Sequence, residues 1–196
     1  MKSDAVSDGT PRFKPLAESD MSEAQLKAAR ELASGPRGKL NPHGPNAVLL
    51  RSPDLMSRTQ QVGAYLRYSS ALPARLNEFA IIITARQWNA QVEWIEHQPL
   101  ALKAGLNPTV AADLARGVRP ADMQDDEAII YQFCTELHQT KAVSDAAFKA
   151  LADKFGERGV VDLIALTGYY SMLAMVLNVA QQPLPGGVPP PLAALS

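Results

Sequence analysis

Glu78, Glu93 and His97 are the residues of this chain best suited by type to move protons, since carboxylates and an imidazole exchange them near neutral pH. If Asn89 to His97 is helical, Asn89, Glu93 and His97 recur at i, i+4 and i+8 and stack on one face. Glu78 heads the apolar run Phe79 to Thr84, which packs inside, and a buried carboxylate needs a partner or a proton. Two carboxylates in one site cannot both ionise freely, so one pKa is expected to rise, with His97 holding or relaying the retained proton. This is acid–base equipment without an electron carrier. It suits carbon acids: decarboxylation, isomerisation or lactone opening of a substrate that supplies its own electron sink. The bland alternative is a solvated i, i+4 pair that does no more than support its helix. Two carboxylates and an imidazole could also ligate a metal, but no helical signature such as His-Glu-x-x-His occurs, and no metal is expected.

The neighbours suggest a binding wall. Trp88 and Trp94 read as core or pocket wall, because large rings bury most area. Arg86 can pair with a carboxylate of the protein or hold one on a substrate, and Arg51 has the same two uses. Asn46, with His43, lies in a loop placed to cover a site, and Asn89 shares the face of Glu93. Glu96 is a third of a turn from His97 and reads as surface, while Tyr169, Tyr170 and Asn178 read as a satisfied core network. Cys134 reads as an inert buried thiol, and His138 as a surface or core residue.

The order Glu78, then Ala90-x-x-Glu93-x-x-x-His97, resembles the site of the carboxymuconolactone decarboxylase and alkylhydroperoxidase D superfamily. Its peroxidase branch has a glutamate followed by Cys-x-x-Cys-x-x-x-His; here Ala90 and Glu93 stand where those cysteines would be, so the redox pair is missing. The phrases Arg86 to Gln91, Glu93-Trp94-Ile95-Glu96-His97 and Leu100 to Gly105 look more like the decarboxylase-like branch, over a span from about Gly44 to about Pro185. The resemblance implies an alkylhydroperoxidase D-like helical bundle that forms a trimer or hexamer, with the long C-terminal helix near the interface. It implies cofactor-free decarboxylation, isomerisation or lactone opening of a small unsaturated carboxylic acid or lactone in aromatic-compound catabolism. In 4-carboxymuconolactone, the unsaturated lactone would accept the electrons left by carbon dioxide. His97 would then protonate carbon, Glu93 tune it and Glu78 complete the relay, with Arg86 or Arg51 holding the substrate carboxylate. The alternatives are a peroxide-reducing protein, opposed because Cys134 has no resolving thiol within the chain, and a non-catalytic ligand-binding homologue.

Helices must position these residues. Residues 1–19 read as an arm, 20–182 as the helical domain and 183–196 as a proline-rich tail. A capping box, Asp20 with Glu23 or Ser22 with Gln25, opens a helix to about Ala33, and the Pro- and Gly-rich stretch Leu40 to Leu50 is expected to lack regular structure. Ser52-Pro53 starts a helix to about Tyr68 with Leu55, Val62 and Leu66 as its apolar face. The next runs from Pro73 to about Arg86, and another from about Gln87 to His97, ended by Pro99. Helices follow from Asn107 to Gly117, over Glu127 to Thr140, from Ser144 to Gly156 and from Glu157 to Ala180. No stretch shows sustained strand alternation, so the class is all-α with about eight helices.

Bulk properties exclude other classes. Lys and Arg number 19 against 20 Asp and Glu, for a net charge of −1, which leaves no electrostatic footprint for DNA or RNA. The opening residues lack an apolar signal core, so a cytoplasmic protein is expected. Leu163 to Ala180 carries no formal charge and is long enough to raise a membrane span, but Asp162 sits at its edge and no second span exists. A central helix buried by its own domain and a neighbouring subunit explains it better. No phosphate loop, dinucleotide fingerprint or nucleophile elbow occurs, so the expected partner is a small-molecule substrate without a cofactor.

Overall fold

A computed structural model describes residues 10–36 and 38–194. Among them are eight α-helices, two 3-10 turns and no strand: α1 Glu23–Ser34, α2 Pro45–Leu49, α3 Pro53–Tyr68, α4 Ala74–Gln87, α5 Gln91–Lys103, α6 Pro108–Ala115, α7 Asp125–Thr140 and α8 Asp145–Ala180. The all-α class is thus as the sequence predicts.

α4 is the axis. Every residue from Leu76 to Arg86 is buried, and α5, α7 and α8 pack around it. A helix enclosed on all sides must be apolar almost all round, which the Phe79 to Ile83 run supplies. Two of its polar side chains bond to backbone carbonyls: Asn77 Nδ2 donates to that of Leu66 at 3.1 Å, and Thr84 Oγ1 to that of Ala80 at 3.0 Å. α1 lies against α3, and α2 lies against α8 and α3.

Local signals set most helix starts. The Ser22 and Gln25 capping box opens α1, Asn107 caps α6 and Ser144 caps α8. Gly156, at φ 69 and ψ 174, breaks α8 where the sequence predicts one helix to end and the next to begin.

Four expectations are corrected. Residues 40–50 include a helix, α2, because Pro45 sits in its first turn and Val48 and Leu49 bury against the core. Pro99 does not end α5: its ring lies on the exposed side of the helix, while fully buried Ala101 holds the following turn in place. α5 begins at Gln91, not Gln87, since Asn89 adopts φ 48 in the connector from α4. In α3, Leu55 and Val62 are exposed, and the buried face is Met56, Gln60, Gly63 and Leu66, one residue around the helix.

The described parts of the N-terminal arm and the C-terminal tail dock on the body. The Arg12 amide donates to the Ala180 carbonyl at 2.9 Å, and Arg51 reaches the Lys14 carbonyl while its guanidinium lies 5.5 Å from the Phe13 ring centroid. In the tail, Gln91 makes a two-way bond with the Leu192 backbone, donating at 3.0 Å and accepting at 2.9 Å, and the Leu192 side chain is buried.

Candidate functional site

α4 and α5 hold Glu78, Glu93 and His97 together. His97 and Glu93 are one turn apart on α5, and Glu78 lies in the second turn of α4 against them. His97 Nδ1 is 2.6 Å from Glu78 Oε2, and His97 Nε2 is 3.4 Å from Glu93 Oε2. The imidazole therefore sits between two carboxylates rather than beside a carboxylate pair. All three side chains are buried, at 9%, 3% and 4% exposure for Glu78, Glu93 and His97.

This arrangement changes the expected electrostatics. Burial pushes the Glu78 carboxyl up, but its bond and charge interaction with His97, and the Arg67 guanidinium, outweigh that and hold its pKa below the ordinary carboxylate value. Glu78 is thus an anion at neutral pH, not the keeper of a retained proton. As an acceptor only, it fixes a proton on Nδ1 and leaves Nε2 as the exchanging nitrogen, with Glu93 alongside.

Three further elements complete the wall. Arg67, from the last turn of α3, places Nη2 3.4 Å from Glu78 Oε1. Tyr170 of α8 meets the His97 ring edge-on, with centroids 5.0 Å apart and planes at 84°. α2 brings Asn46 to the same place. Asn46, Arg67, Glu93, Glu96, His97 and Tyr170 line a cavity of about 60 Å³, and Asn41 Nδ2 donates to Glu96 at its rim. Glu96 is thus half-buried in the site, not merely surface.

The remaining predicted binding residues lie elsewhere. Asn89, outside the helix, does not share the face of Glu93; it accepts from Gln91 Nε2 at 3.2 Å. With Trp88 it lines a separate open groove of about 860 Å³ under the C-terminal tail. Trp94 is buried in the core. Arg86 is two turns past Glu78 on α4, about 12 Å along the axis; it donates to the Ala193 carbonyl at 3.1 Å, and a Cβ on Gly117 would sit 2.9 Å from its Nη2. Arg51 braces the N-terminal arm. Neither arginine lines the His97 cavity.

Sequence reasoning passed over Arg67 and read Tyr170 as part of a core network. Arg67 reads as an ordinary basic residue in a last helical turn, and its contact with Glu78 crosses the α3–α4 connection at no helical spacing. For Tyr170 the signal was a hydroxyl in a charge-free helix, which needs a partner.

Among the described residues no three His, Cys, Asp or Glu side chains gather as metal ligands. Cys134 is fully buried beside Thr167, and burial pushes its thiol up to about 12.

No protein-family model matches the chain, and no curated protein matches it. Fold and site define an all-α protein, with eight α-helices among the described residues and a buried carboxylate–imidazole–carboxylate chain.

Proposed function

We propose that the protein is a cofactor-free acid–base enzyme of the carboxymuconolactone decarboxylase-like kind, which decarboxylates, isomerises or opens a small unsaturated carboxylic acid or lactone. The observation that carries this reading is the His97 imidazole held between Glu78 and Glu93. An ionised carboxylate on Nδ1 orients the ring and turns Nε2 towards Glu93, so Nε2 can take a proton from carbon or return one. Glu93, one turn away, is a second holder for that proton. A thiol peroxidase has less support, because Cys134 is buried and held in its unreactive protonated form.

The test is carbon dioxide release and ultraviolet absorbance change on a panel of unsaturated lactones and β-keto acids. His97→Ala and Glu93→Gln are expected to lower turnover by roughly 10²–10⁴-fold with folding preserved. Turnover unchanged in His97→Ala would refute the assignment.

A further inference from the structure

Arg67 and Asn46 stand in the cavity wall beside Glu93 and His97, yet neither belongs to the proton chain. Arg67 Nε and Asn46 Oδ1 are shut off from solvent and have no hydrogen-bond partner among the described residues. A buried donor or acceptor left unmade is costly, so two such atoms on residues of one small cavity mark a place where a guest supplies the partners. Their senses are opposite. A guanidinium N–H asks for an acceptor, and an amide oxygen asks for a donor.

Charge narrows the guest further. Glu93 and Glu96 line the cavity together with Arg67, and Glu78, behind the wall, already engages the guanidinium at 3.4 Å. A ligand carboxylate pushed in here would meet repulsion from three acidic groups, whereas a carbonyl oxygen would meet an N–H donor without that penalty.

Building on the acid–base reading above, we infer that Arg67 holds the electron-accepting carbonyl oxygen of the substrate. Asn46 Oδ1 takes a hydroxyl hydrogen beside it, and the group seated in the cavity is a neutral hydroxycarbonyl rather than a carboxylate. In a decarboxylation the bond from carbon to the carboxylate breaks and its electron pair moves into the adjacent unsaturated carbonyl. The enolate oxygen so formed is stabilised by the Arg67 N–H. Carbon dioxide leaves, protonated His97 gives its Nε2 proton to carbon, and solvent returns a proton to the imidazole. The departing carboxylate stays at the mouth, since about 60 Å³ admits a head group and not a whole substrate.

The experiment follows the ring ¹⁵N signals of His97, against those of His43 and His138, on the full chain titrated with hydroxyacetone, acetone and acetate. Hydroxyacetone is expected to shift His97 saturably and to bind about tenfold tighter than acetone, with acetate weakest. Asn46→Ala should erase the advantage of hydroxyacetone over acetone. Arg67→Lys, which keeps the charge and loses the Nε donor, should weaken both ketones about tenfold. If either variant fails to fold, the order of the three ligands on the unaltered chain decides. Acetate as the strongest ligand, variants that bind like the parent chain, or a His97 signal unmoved by either ketone would overturn the inference. Because the readout is binding, a chain that shows this pattern but turns over nothing refutes the enzyme reading alone. Turnover undiminished in Arg67→Lys refutes the anchor alone.

Discussion

His97 Nδ1 and Glu78 Oε2 are 2.6 Å apart although 19 residues separate them in sequence and they belong to different helices. The short contact is made by the packing of α5 along α4, with Arg67 closing the far side of the carboxylate. A carboxylate held below its ordinary pKa contributes stability that is present above the unfolded value and lost as pH falls through the folded one.

Glu78→Gln should therefore flatten the acid limb of stability. The unaltered chain is expected to lose stability as pH drops below about 4.5, and the variant to lose less over that range because it has no proton to bind. At neutral pH the substitution should cost roughly 1–3 kcal/mol, since it strips Arg67 and His97 of an ionised partner. Denaturant unfolding across pH for both chains checks this; identical acid limbs would refute it.

His138 gives a second pH effect in a higher window. Its Nε2 lies 3.1 Å from Thr84 Oγ1, whose own hydrogen goes to the Ala80 carbonyl, so the neutral ring donates. Burial, with the nearby Lys141 charge, lowers its pKa from 6.5 to about 4. Between those values the unfolded chain binds the proton and the folded one does not, so stability falls as pH drops through that window. The loss should be on the order of 1 kcal/mol after screening of a partly exposed ring, and His138→Gln should remove it. Thermal melts between the two pH limits decide.

Cys134 should behave as a core residue. With its thiol at about 12 and no exposed surface, it should resist iodoacetamide in the native chain and react only on unfolding. Cys134→Ala should leave turnover unchanged. Rapid native labelling with loss of activity would revive a thiol mechanism.

α8 carries an uncovered apolar stripe. Val161, Ile164, Met175 and Val179 are 62%, 47%, 43% and 59% exposed, and a Cβ on Gly168 between them would meet nothing within 4 Å. The same helix is long and apolar enough to cross a membrane, but 56% of its most apolar window is buried inside the chain. The expected cover is a second copy of the chain. Light scattering should find an oligomer, and Ile164→Lys with Met175→Lys should weaken association at least tenfold, roughly 1.4 kcal/mol or more. An unaltered chain that stays monomeric at every concentration would refute it.

The amino-acid sequence by itself determined the helical class, the starts of α1, α6 and α8 and the break at Gly156, because caps, prolines and glycines act within a few residues. It also singled out Glu93 and His97, whose pairing is a matter of helical spacing. The tertiary structure decided everything that depends on which faces meet. Buried Ala101 carries α5 past Pro99, α2 forms where Val48 and Leu49 find a core, and a positive φ at Asn89 removes it from the site. It also decided the chemistry's surroundings. Arg67, Tyr170 and Asn46 come from three other helices, and Arg86 and Arg51 are turned to the backbone at Ala193 and at Lys14. Such contacts join residues far apart in the chain through packing, and no local pattern encodes them.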